Sequence, residues 1–187
     1  MIPSAEATEL IARHRGDSIV VPTMTALKLW AALSPGHPLD LYAFGCMGKA
    51  SSLGLGVALA RPDRRVIVLD GDGSLLMNLG SLVTIAHMAS PNLYHFVYED
   101  GAYTTTGGQP IPGAGKIDLA AFARAAGYPH AYAFENLEEL ASALPGVFTL
   151  RGPVLVDLKV HHQPDLPPFP TLDMAQVVRR VARALEG

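Results

Sequence analysis

Short apolar runs alternate along this chain with longer segments whose apolar positions recur at helical spacing. A helical pattern over residues 5–14, with Ser4 as N-cap, precedes a short buried strand at 18–21. The next helix carries Leu27, Leu29, Trp30 and Leu33, and a turn at 35–38 leads to a strand at 39–44. A helix rich in small residues follows at 50–60, then a polar turn and the apolar run Val66, Ile67, Val68, Leu69. Leu75, Leu76, Leu79, Leu82, Val83 and Ala86 predict one helix, and 93–98 predicts the next strand. Residues 110–115 carry too much Pro and Gly for regular structure and read as a mobile lid or a plain surface loop. Beyond them come a helix at 118–126 capped by Asp118, a strand at 130–134, a helix at 137–144 capped by Asn136, and a strand at 154–160. The pattern is βα throughout. It predicts an α/β fold in which a parallel sheet carries helices on both faces. One domain should span residues 1–187, with a Pro-rich linker at 161–171 leading to an amphipathic C-terminal helix at 172–186.

Two of the strands end in acidic, glycine-bearing turns. One is Asp70-Gly71-Asp72-Gly73-Ser74; the other is Glu99-Asp100-Gly101-Ala102-Tyr103. In a parallel βαβ unit both turns lie on the same edge of the sheet, so Asp72 and Asp100 can meet in space. Two such turns suit a hard cation, and magnesium takes oxygen ligands and is usually shared with a phosphate. The N–H groups of Gly73 and Ser74 begin the following helix and face an anion there. A lone Gly-Asp-Gly would read as an ordinary turn whose aspartate caps a helix; the second acidic turn favours the metal. Thr25, after the first buried strand, falls on the same edge and either holds anion oxygens or caps its helix.

Composition narrows the field. Of 187 residues 49% are hydrophobic and 17% charged, enough apolar surface for a sizeable core. A net charge of -3 gives no basic footprint for nucleic acid. No apolar run reaches membrane-spanning length, the amino terminus is too polar for a secretory signal, and a cytoplasmic location is expected. The single cysteine, Cys46, excludes an internal disulfide framework and a clustered-cysteine metal site. Nothing nearby activates it as a nucleophile. His87 and His95 read as structural. His161 and His162 are adjacent at a strand end, where neighbours point apart, and read as surface residues rather than a ligand pair, with one of them reaching a partner's active site as the alternative.

Three motifs in order carry a resemblance: Gly45-Cys46-Met47-Gly48, then Gly71-Asp72-Gly73-Ser74, then Asp100-Gly101-Ala102-Tyr103 running on to Gln109. Together they resemble the diphosphate-binding domain of thiamine diphosphate enzymes over roughly residues 17–160, and the stretch 103–109 is similar to that of the sulfopyruvate and phosphonopyruvate decarboxylases. The resemblance implies thiamine diphosphate and Mg2+ as cofactors. It implies Asp72, Asp100 and the Ala102 carbonyl as metal ligands, with Gly71, Gly73, Ser74, Tyr103, Thr104 and Thr25 around the cofactor. It also places Gly45, Cys46 and Met47 at the ring end, the Gly45 carbonyl on the aminopyrimidine and Met47 wedged beneath the bent rings. Asp100 departs from the family's usual Asn. The family's activating glutamate belongs to a pyrimidine-binding domain that this chain lacks. The expectation is therefore the beta-type subunit of a hetero-oligomeric decarboxylase of a small anionic 2-oxo acid, completed by a pyrimidine-domain (alpha) partner. Carboligation in the acetolactate-synthase manner, or a noncatalytic partner subunit retaining the fold, are the alternatives.

Overall fold

The computed structural model describes residues 1–186. In chain order it contains β1 (Ile2–Pro3), α1 (Ser4–Arg13), β2 (Ile19–Pro22), α2 (Met24–Leu33), α3 (Ala50–Ala60), β3 (Val66–Gly71), α4 (Asp72–Leu76), α5 (Ser81–Met88) and β4 (Leu93–Glu99). A hairpin of β5 (Ala102–Tyr103) and β6 (Gln109–Pro110) follows, then α6 (Leu119–Ala126), β7 (His130–Phe134), α7 (Leu137–Val147), β8 (Val154–His161) and α8 (Met174–Leu185).

The main sheet is parallel in every pairing. β2 pairs β3, β3 pairs β4 and β4 pairs β8. β7 adds to β8 from Val154 to Leu158, and β1 adds to its end at Val160 and His161. Alternate residues of each strand feed opposite faces. Val66 and Val68 pack in one core with α3, α5 and α6, whereas Ile67 and Leu69 pack in the other with α1, α2 and α7. Burial on both faces is why these strands read as continuous apolar runs. Because all strands run the same way, the carboxyl ends of β2, β3, β4 and β8 share one edge. That edge carries the chemistry-bearing turns.

Several local expectations change. The single helix expected after Ser74 is two: α4 ends at Leu76 and α5 begins at Ser81 with Gly80 as its N-cap. Residues 39–44 make only isolated bridges to β2, at Asp40 and Ala43, on its open side. The Asp40 carboxylate there is held by Arg15 at 2.9 Å and by the Ser34 hydroxyl at 2.7 Å. Ser4 is the first residue of α1 rather than its cap, and the Ile2–Pro3 strand before it is too short for a periodic signal. Asp118 and Asn136 cap α6 and α7 as expected. The stretch after Gln109 is anchored: Pro110 pairs with Ala102, the Ile111 N–H reaches the Gly101 carbonyl at 3.0 Å, and the Ile111 side chain is buried. β8 extends to His161, and α8, capped by Asp173, buries Val177 and Val181.

Candidate thiamine diphosphate site

The two acidic turns are joined directly. Asp72 accepts the Gly73 N–H on Oδ1 at 2.6 Å and the Gly101 N–H on Oδ2 at 2.7 Å. Its carboxylate thus spans from the end of β3 to the turn after β4. Burial pushes the Asp72 carboxyl up to about 6, and the neighbouring Asp100 and Glu99 charges push the same way, against the two N–H bonds. A buried carboxylate crowded by like charges is an environment that a divalent cation relieves.

Asp100 is handled differently. The Thr104 hydroxyl and His162 Nε2, the latter at 3.1 Å, both bond Oδ2, while Oδ1 takes only the Ala102 N–H at 3.3 Å. Burial alone would raise this carboxyl, but the bonds from His162, Thr104 and Ala102 hold it below the ordinary carboxylate value. Beside it, Lys159 Nζ sits 2.6 Å from Glu99 Oε2 and 2.9 Å from Asp157 Oδ2. The ammonium offsets part of the local negative charge, and burial raises Asp157.

The turns are packed tightly. A Cβ on Gly73 would lie 2.4 Å from the Tyr103 ring, so only glycine lets that ring lie on the β3–α4 turn. The Ser74 hydroxyl accepts the Gly48 N–H at 2.9 Å, tying the Gly-Asp-Gly-Ser turn to the Gly45–Gly48 segment. Between the turns lies a cleft of about 30 Å³, whose walls include Thr25, Met47, Gly71, Asp72, Gly73, Ser74, Asp100, Ala102, Tyr103 and Thr104.

The fold belongs to a recognised group. The sequence profile of the thiamine pyrophosphate enzyme C-terminal TPP-binding domain matches residues 19–158. The chain belongs to this family. It is 36% identical to the sulfopyruvate decarboxylase subunit beta of Methanothermobacter thermautotrophicus, covering 100% of this chain and 97% of that one. It is 45% identical to a phosphonopyruvate decarboxylase of Streptomyces hygroscopicus over 84% of this chain and 44% of that protein. The chain thus spans less than half the length of the phosphonopyruvate decarboxylases it matches. Benzoylformate decarboxylase from Polynucleobacter necessarius superposes with a TM-score of 0.70 at 20% identity, over 88% of this chain and 34% of that one, which shows the shared fold.

Within this thiamine pyrophosphate-binding domain, the local surroundings of several residues depart from expectation. Gly45 and Cys46 are exposed beside the cleft, and of the three ring-end residues Met47 lines its wall. The Gly73 N–H does not face an open anion site, since Asp72 Oδ1 already holds it. His162 is no surface residue: it lines the cleft and bonds Asp100, whereas His161 is exposed. His95 is buried beside Asp70 at 3.3 Å, as a structural histidine, but His87 is exposed on α5. Thr25 is not the cap of α2, a position held by Thr23, whose hydroxyl donates to the Ala43 carbonyl. Met24, at φ 47°, also lines the cleft and carried no sequence signal beyond its place after a strand. Among the described residues no group of three or more His, Cys, Asp or Glu is arranged for a metal, so any cation here takes two carboxylates and completes its shell otherwise. No helix among them is long and apolar enough to cross a membrane.

Proposed function

We propose that this chain is the diphosphate-binding subunit of a thiamine diphosphate-dependent decarboxylase of a small anionic 2-oxo acid, completed by a pyrimidine-domain partner. The observation that carries the reading is the Asp72 carboxylate reaching the Gly101 N–H with Asp100 alongside. A buried acid, a half-buried one and a carbonyl-bearing turn form an all-oxygen donor set, which fits magnesium. Asp72, Asp100 and the Ala102 carbonyl would hold the ion, and Ser74, Thr104 and Thr25 would face the diphosphate. When bound, thiamine diphosphate supplies the electron sink for loss of carbon dioxide from a 2-oxo acid. Met47 on the cleft wall gives the cofactor an apolar support, and Tyr103 stacked on Gly73 closes the cleft beneath it.

The half-site reading draws on two facts. The match to the sulfopyruvate decarboxylase subunit beta runs over 97% of that subunit, and Gly45 and Cys46, the ring end implied by the resemblance, are exposed rather than covered by this chain. A second wall from another polypeptide would cover that end and supply the activating glutamate. Carbon dioxide release from sulfopyruvate, phosphonopyruvate and pyruvate tests this, with the chain alone, the candidate partner alone, and the mixture. Turnover confined to the mixture, with sulfopyruvate or phosphonopyruvate preferred, is the expected result. Robust turnover by the isolated chain would refute the half-site; cofactor binding by the mixture without release from any substrate removes the decarboxylase.

A further inference from the structure

His162 lies just past the carboxyl end of β8, the fourth strand to deliver a residue to this edge. Its two ring nitrogens are both engaged. Nδ1 lies 2.8 Å from the hydroxyl of Ser4, a fully buried residue, and Nε2 lies 3.1 Å from Asp100 Oδ2. The nitrogen facing a carboxylate must carry hydrogen, so Nε2 donates. Together with the Thr104 hydroxyl it saturates Oδ2, and Oδ1 is left with one long N–H contact. The chain beyond His162 is clipped in place. Phe169 meets Phe44 edge-on at 5.6 Å and lies under Lys28 Nζ at 4.7 Å. Residues 162–169 therefore run as a strap from the Asp100 turn to the segment that precedes Met47.

We infer that His162 is a positioning residue for the metal: it captures one oxygen of Asp100 so that the other, Oδ1, is presented to the cation. The inference rests on the cofactor reading above. Orienting partners of metal ligands fix carboxylate geometry, and losing one typically lowers metal affinity ~10–100-fold. Ser4 fixes the ring, so the orientation of a ligand in the turn after β4 depends on a residue at the start of α1 and another past the end of β8.

The test is Mn2+ binding to the full chain mixed with its candidate pyrimidine-domain partner in the presence of thiamine diphosphate, read by the electron paramagnetic resonance of free Mn2+; manganese suits the same oxygen donors as magnesium. His162→Ala should weaken Mn2+ binding roughly 10–100-fold while His162→Gln, which keeps a donor at the Nε2 position, stays close to wild type. In an Asp100→Ala background His162→Ala should cost nothing further, because its action passes through Asp100. Thermal melts without metal identify any variant that fails to fold; should His162→Ala be one, His162→Asn, whose shorter side chain does not reach Asp100, carries the same comparison in the wild-type and Asp100→Ala backgrounds. Wild-type binding that His162→Ala leaves unchanged, or equal losses with and without Asp100, overturns the inference alone. Absence of Mn2+ binding by wild type, or binding indifferent to Asp72→Ala, overturns the cofactor reading and this inference with it.

Discussion

At the scale of the residue, the two acids of the site have opposite environments and should respond differently to change. Asp72→Ala removes an oxygen donor and should abolish metal-dependent diphosphate binding. Asp100→Asn retains an oxygen and should keep most of it; equal, near wild-type affinity in both variants, measured by calorimetric titration, would sink the metal site. Asp72 also sets a pH dependence. Its folded pKa of about 6 lies above the ordinary 3.8, so the folded chain binds that proton more tightly than the unfolded one. The corresponding stability is fully present below 3.8 and is lost as pH rises through about 6. Asp72→Asn cannot ionise. Without metal or cofactor, its melting temperature relative to wild type should rise between about pH 4 and about pH 7, and a flat difference would contradict the raised pKa. Met47→Ala should leave diphosphate affinity nearly intact but lower turnover of the complete enzyme roughly 10- to 100-fold, as expected for a mispositioned cofactor. Equal losses of binding and rate would mark Met47 as packing only. Asp72, Asp100 and Met47 were legible because each sits in a short motif beside glycine. His162 and Lys159 were not, since a histidine or lysine at a strand end has no motif, and only the shared carboxyl edge of the parallel sheet gives it meaning.

At the scale of the element, glycine spacing decides how closely helix and strand approach. A Cβ on Gly54 of α3 would stand 2.3 Å from Val68 Cγ2 on β3. Gly54→Ala gains helix propensity, but overpacking should dominate and cost about 1–3 kcal/mol in urea unfolding. A variant as stable as wild type would show that α3 can lift off the sheet without penalty. Strand and helix identities followed from periodicity, and the caps Asp118 and Asn136 from side-chain chemistry. The split between α4 and α5 escaped, because their apolar positions keep helical register through the break. Likewise 39–44 has a buried strand's composition, yet ladder pairing on the open side of β2 is limited to two bridges. Composition reports burial, not hydrogen bonding.

At the scale of the whole molecule, the parallel order of strands was readable as a class but not as an arrangement. Nothing in the sequence said that β8 would be inserted between β4 and β7 rather than added at an edge. That insertion has a consequence for how the protein comes into being. β8 is the last sheet strand to leave the ribosome, yet β4, β7 and β1 all pair with it. Until residue 161 has emerged, the nascent chain holds β4, a strand buried along its whole length in the native fold, with one edge unpaired, a template for association with other chains. Native closure depends on contacts distant in sequence, which makes the final step slow. Chaperone dependence should therefore be concentrated late in translation. Ribosome-stalled chains ending before β8 should be protease-sensitive throughout β2, β3 and β4, and chains stalled with residue 161 clear of the exit tunnel should be protected.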